Sequence, residues 1–243
     1  MEISERELRQ MAAAVDEQHR DGMSTMASDI AELHAETRRY RTQSRRSLLR
    51  SGALGAGAVT IGGSLLSFAS LLPAAAQEKP PELADDDIAA FAESVELAAV
   101  EAYKAAAATG KLQPAVVEVG TMFAGHHAEH AKAFGGAAGT KASGRPNTKL
   151  VEAVGGQLKA AKDVKSILGV AFDLENAAVA TYMFALGALK SPAALGLTAS
   201  ILPVESQHAV VLGTALAKAP ADLIPTFETA EKAVDPAKFP VSA

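Results

Sequence analysis

Residues 204–212 read VESQHAVVL, an acid and an imidazole three positions apart in a run otherwise rich in Ala, Val, Leu and Ile. Residues three apart share a helix face, so Glu205 and His208 point together toward whatever that apolar helix packs on. A related pair, two histidines at the same spacing, occurs upstream. His127-Ala-Glu-His130-Ala131 matches Glu205-Ser-Gln-His208-Ala209 at an offset of 78 residues. Before it, Glu96-Leu-Ala-Ala-Val-Glu-Ala-Tyr103 matches Glu175-Asn-Ala-Ala-Val-Ala-Thr-Tyr182 at an offset of 79. Polar residues that recur in order, each inside an apolar stretch, mark a duplicated helical pair.

Helix signals bracket these segments. Asp85-Asp86-Asp87 supply N-cap and first-turn carboxylates for a helix to about Thr109, and Gly110 ends it. Pro114 opens a second helix to about Phe134, followed by the flexible crossing GGAAGTKASGRPN and a short helix over 149–162. Asp163 starts a third long helix to Leu189, and Ser191-Pro192 start a fourth that ends near Ala217. Alanine dominates, Trp is absent and β-branched residues are sparse, so the fold is all-α. Two short-looped hairpins joined by a long connection predict a four-helix bundle with a crossover between helices 2 and 3. In each hairpin the glutamate lies about fifteen residues before the turn and the motif pair, His127 and His130 or Glu205 and His208, about as far after it, at equal height on helices rising ~1.5 Å per residue. Glu96, His127, His130, Glu175, Glu205 and His208 should therefore meet at one level.

Three carboxylates buried together would cost several kcal/mol each unless a cation accompanies them. Carboxylate oxygen and neutral imidazole suit iron, manganese or zinc, as one or two ions per chain. The absence of cysteine leaves His, Asp and Glu as the only metal donors. On these residues, and on the paired arginines of Ser44-Arg45-Arg46-Ser47-Leu48-Leu49-Arg50, the chain resembles the ferritin-like superfamily, in particular exported ferritin-like domain proteins with twin-arginine signals. Dimetal members use one Glu from each of two helices and a Glu-x-x-His from each of the others. Over residues 86–217 the resemblance implies that Glu96 and Glu175 are the single glutamates and that Glu205 with His208 is a complete Glu-x-x-His. His127 departs from it, standing where the second motif has a glutamate that bridges the metals. Glu129 lies about 100° around the helix from His130, and His126 offers an alternative i,i+4 pair with it. Glu93 and Glu101 are read as surface residues, Glu101 replacing Glu96 if the register slips. Tyr103 and Tyr182 share the face of the glutamates seven positions earlier, as hydrogen-bond donors to the site or as core residues with a satisfied hydroxyl. Pro203 is expected to kink the fourth helix.

Residues 44–50, SRRSLLR, precede an uncharged Gly-rich run over 51–72 and then Pro73-Ala74-Ala75-Ala76-Gln77. Basic, apolar and small-residue regions in that order make a secretory signal, here with a twin-arginine element, cleaved after Ala76. The organisation read from the sequence is a charged helical leader over 1–43, a signal over 44–76, a linker over 77–84, the bundle over 85–219 and a tail over 220–243. The alternatives are a membrane anchor over 51–72, translation from Met23 or Met26, and a cytoplasmic docking role for the leader. The net charge of −5, with arginines confined to the first fifty residues apart from Arg145, offers no nucleic-acid surface. No phosphate-binding loop or Ser-His-Asp pattern points to another enzyme class. An exported metal-binding bundle of ferroxidase, peroxide-scavenging or metal-storage type is expected, open to oligomerisation. The alternative is a metal-free structural or interaction module of the cell envelope.

Replacing both Arg45 and Arg46 by Lys should block export through the twin-arginine machinery. In the unaltered protein, N-terminal sequencing of the exported chain should read from Gln77. A mature chain that keeps residues 51–72 would instead mark a membrane anchor.

Overall fold

In the computed structural model, residues 3–26, 28, 83–223 and 229–242 are described, and among them every regular element is helical. The signal segment over 44–76 and most of the linker lie outside the described residues. The helices are α1 over residues 5–26, α2 (Asp85–Ala108), α3 (Pro114–Ala138), α4 (Thr148–Ala160), α5 (Val164–Ala188), α6 (Pro192–Ala215) and the single turn α7 (Pro220–Leu223). Pro114 and Pro192 occupy the first turns of α3 and α6, where a missing N–H removes no helical bond. Asp163 and Ser166 form a capping box at the start of α5, and Ser191 caps α6 through Ala194 N at 3.1 Å. Asp85 accepts from the amides of Lys190 and Ser191 at 3.0 and 2.6 Å, tying the start of α2 to the turn between α5 and α6. α6 runs through Pro203 without interruption.

Helices α2 and α3 form one hairpin and α5 and α6 the other, with α2 against α5 and α3 against α6 closing the bundle. The crossover carries α4, whose Leu150, Val154 and Leu158 pack with Phe91, Val95 and Ala98 of α2 and Ile167 and Leu174 of α5. Asn147 fixes the start of α4. Its side-chain oxygen caps Leu150 N, its backbone N–H donates to Ser94 O at 2.8 Å, and its amide reaches Phe239 O at 2.9 Å. The C-terminal segment lies against the bundle, where Val234 N donates to Thr181 Oγ1 at 2.8 Å.

Two features differ from the sequence expectation. α3 continues past Phe134 through Gly135-Gly136-Ala137 to Ala138, because Phe134 stacks on Tyr182 and Ala138 is buried. Tertiary packing thus outweighs the low helix propensity of paired glycines. Glu93, read as a surface residue, is 6% exposed and accepts from Ser143 N at 2.9 Å and Gly144 N at 3.3 Å. It can lie there because Gly135 has no side chain, since a Cβ at that position would stand 2.7 Å from Glu93 Oε1. Glu101 is half-exposed and pairs with Lys104, outside the interior.

The charged leader contributes a packed helix. Leu8, Ala12 and Val15 of α1 are buried in a cluster with Val119 and Phe123 of α3 and Val211 and Leu212 of α6. Arg9 pairs with Glu118 at 2.8 Å, and Gln207 donates to Gln18 at 2.6 Å. Translation from Met23 or Met26 would leave this helix out.

Glu93→Ala should destabilise the bundle by ~1–2 kcal/mol, because two crossover amides lose their acceptor and Gly144 can turn to water. Gly135→Ala should act in the same direction by displacing the carboxylate. The urea unfolding midpoint of each variant measures this, with Glu101→Ala as a near-neutral reference.

Candidate metal centre

All six predicted residues meet in the interior, each at most 1% exposed. Glu96 comes from α2, His127 and His130 from α3, Glu175 from α5, and Glu205 and His208 from α6. Glu205 stands between the hairpins, with Oε1 2.7 Å from His130 Nδ1 and Oε2 3.1 Å from His208 Nδ1. His127 also spans them. Its Nδ1 is 2.6 Å from Glu96 Oε2 and its Nε2 is 3.2 Å from Glu175 Oε1. Among the described residues two sets, Glu96-His127-His130-Glu205 and His127-Glu175-Glu205-His208, offer ligand atoms all within 4.8 Å of one another. The duplication in sequence has become two half-sites sharing His127 and Glu205.

These atoms fit a metal on a ground apart from residue type. His130 Nδ1 and Glu205 Oε1 touch at 2.7 Å, yet neither has a hydrogen-bond partner, and Glu175 Oε2 also lacks one. An N–H···O bond requires alignment as well as distance, and this pair is close without being aligned. His130 Nδ1, Glu205 Oε1 and Glu175 Oε2 thus converge with their bonding capacity unmet, the arrangement that ligands have around a cation. Left without one, each buried group would bear its full desolvation cost.

The protonation pattern follows the crowding. Burial raises the Glu96 carboxyl above its ordinary range, and the charge of Glu205 adds to this. Burial acts on Glu205 in the same way, but the charges of His127 and His130 outweigh it and hold this carboxyl well below its ordinary range. His127 shows the converse. Burial would lower its pKa, and the surrounding Glu205, Glu175 and Glu96 raise it well above the usual value.

Tyr103 donates to Glu175 and Tyr182 donates to Glu96, so each tyrosine serves the glutamate of the other repeat. Burial first, then the Glu175 charge, raises the Tyr103 pKa well above its ordinary value and keeps it a donor. Both are core residues and site donors at once.

His126 makes bonds other than the expected pairing with His130. Its Nδ1 is 2.9 Å from His208 Nε2, and its Nε2 is 3.1 Å from Asp16 Oδ1 on α1. His19 stacks on His126 with centroids 3.9 Å apart and meets His130 edge-on at 5.1 Å. Glu129 is half-exposed, 3.9 Å from His19 and outside the centre. Asp16 and His19 were missed from sequence, although Leu8, Ala12, Val15 and His19 are spaced by four, three and four, so the histidine continues the apolar stripe.

The sequence model of the ferritin-like domain family matches residues 84–218, more than half of the chain. No curated protein and no solved structure compared with the chain matches it.

Docking of α1 should depend on pH. Burial first, then the charges of His126, His130 and His208, lowers His19 to about 3, with Glu205 opposing. Burial and then His208 lower His126 to about 4, against the pull of Asp16. With these pKa values below the ordinary 6.5, the undocked state binds more protons between about 4 and 6.5. Docking should thus be complete above pH 6.5 and weaken as pH falls, by up to about tenfold per unit for each histidine. Amide exchange over residues 5–26, corrected for intrinsic rates, measures it, and His19→Leu should flatten the dependence.

Proposed function

The chain belongs to the ferritin-like domain family, and we propose that it is an exported metal-binding member with a redox or iron-handling role of ferroxidase or peroxide-scavenging type. The observation that carries this reading is Glu205, whose two oxygens face the two half-sites while Oε1 has no hydrogen-bond partner. Glu96 and His130 would hold an ion on one side, and Glu175 and His208 on the other. Iron comes first among the candidates, with manganese and zinc also suited to carboxylate and imidazole donors. A bound redox metal would supply electron transfer to an oxidant.

The chain's own groups set the ion count. With His127 protonated between Glu96 and Glu175, three carboxylates and one imidazolium are balanced by one divalent ion. A second ion requires His127 to give up a proton and at least one of those bonds. The Tyr103 and Tyr182 hydroxyls orient Glu175 and Glu96, and the closely packed helices keep water from the carboxylates.

Export by the twin-arginine route to the periplasm or the cell exterior is supported by Arg45-Arg46 and the Ala-Ala-Ala76 site, with anchoring by residues 51–72 as its alternative. That route carries folded chains, which suits a protein that acquires its ion before export. The second functional reading, a metal-free envelope module, is favoured by one observation. His127 already pairs with two carboxylates and gives the interior a cation of its own.

Metal analysis of protein purified from its own host without chelator separates the readings. The wild type should carry one or two ions per chain, Glu205→Ala and His208→Ala should lose stoichiometric metal, and His127→Ala should lose less. His127→Glu, which restores the second Glu-x-x-His, should raise occupancy toward two ions. A wild type that takes up no iron, manganese or zinc on reconstitution would leave the metal-free module standing.

A further inference from the structure

Helix α1 touches the centre through one chain of hydrogen bonds. Arg20 Nη2 holds Asp16 Oδ2 at 2.7 Å, Asp16 Oδ1 faces His126 Nε2 at 3.1 Å, and His126 Nδ1 faces His208 Nε2 at 2.9 Å. At the far end His208 Nδ1 lies 3.1 Å from Glu205 Oε2 and 3.5 Å from Glu175 Oε2. A carboxylate only accepts, so His126 Nε2 must carry the hydrogen. A neutral imidazole has a single N–H, so His126 Nδ1 is left as an acceptor. His208 Nε2 must then donate to it. His208 Nδ1 is hydrogen-bonded to the Glu205 carboxylate, so without an ion it carries a hydrogen too, and that hydrogen is the one an ion between Glu175 and Glu205 would displace.

We propose that α1 belongs to the metal centre: Asp16, acting through His126, keeps a hydrogen on His208 Nε2 and so leaves Nδ1 as the nitrogen that binds the ion. This rests on the metal reading of the site. Asp16 and His126 are positioning residues, in the way that an outer carboxylate fixes the ring and tautomer of a metal-bound histidine. The rest of the ring's surroundings agree. His126 is clamped by the stacked His19, and Phe123 stacks on His208 with centroids 4.0 Å apart, so neither imidazole is free to turn over. Because α1 precedes the twin-arginine segment, cleavage after Ala76 would remove Asp16, and the precursor would hold its ion more tightly than the processed chain.

The test uses the full chain with zinc as a diamagnetic probe. In the zinc-loaded wild type, ¹⁵N spectra of the histidines should show His208 bound through Nδ1 with hydrogen on Nε2, and His126 with hydrogen on Nε2. Asp16→Ala and His126→Phe should each lower zinc affinity about ten- to a hundredfold in chelator competition. Leu8→Ala loosens the packing of α1 but leaves the chain of bonds, and should change affinity less than about threefold, within ordinary variation for a residue remote from the ligands. Amide exchange over residues 5–26 confirms in each variant that α1 is still docked. Zinc bound through His208 Nε2, wild-type affinity in Asp16→Ala and His126→Phe, or equal loss in Leu8→Ala would each overturn the proposal and leave the metal reading intact. A wild type that binds no zinc, iron or manganese would remove both.

Discussion

Three carboxylates sit at one level of an alanine-rich bundle, shut off from water, and most of the interior is arranged around that fact. Small side chains allow the helices to approach closely, which puts Glu96, Glu175 and Glu205 within reach of one another and excludes solvent. In such surroundings a charge is stabilised only by partners that the protein itself supplies or binds. Four histidines and two tyrosines are gathered there for that reason. Tyr103 and Tyr182 serve the outer glutamates, His130 and His208 face the shared Glu205, and His126 extends the network to the N-terminal helix.

The duplicated hairpin makes the centre nearly symmetric, and His127 breaks the symmetry. A glutamate in its place would add a fourth negative charge and call for a second ion. An imidazole instead reaches both outer glutamates with nitrogen atoms that can each carry a hydrogen. His127 thus acts as the interior's own cation, and a second ion bound at the proposed centre would have to displace a proton from it. Glu96 and Glu205 already differ accordingly, the first shifted toward its neutral form by burial and the second held ionised by its histidines.

The hairpin boundaries were legible because they rest on local chemistry, with Asp87, Pro114, Asp163 and Ser191-Pro192 each acting within their own helical turn. The six convergent side chains were legible for a geometric reason, since equal distance from a tight turn means equal height in a helical hairpin. What escaped depends on contacts across the fold. Glu93 looks like any solvated glutamate until Gly135 and the crossover amides come to lie over it. The pairing of each tyrosine with the opposite repeat cannot be read from its own helix, where both glutamate and tyrosine share a face. Helix α1 was set apart because an apolar, signal-like run separates it from the bundle in sequence, although His19 stands in register with its buried Leu8, Ala12 and Val15.

If the chain is exported as proposed, the place of α1 constrains how export and folding can be ordered. A segment over 51–72 that crossed a bilayer, with Arg45 and Arg46 kept on the cytoplasmic side, would put α1 and the bundle on opposite faces of ~30 Å of hydrocarbon. Leu8, Ala12 and Val15 could not then reach Phe123 and Leu212, nor Asp16 reach His126. The packed arrangement therefore belongs to a chain whose two ends are still on one side of the membrane. On the proposed route, which carries folded cargo, that is the state in which the bundle would close over its carboxylates and take up an ion. Translocation would have to pull α1 away from α3 and α6, breaking the Asp16 to His126 bond and uncovering the His19 side of the centre. The contacts that hold α1 are suited to such release, because its buried residues are few and both His19 nitrogens are buried without partners.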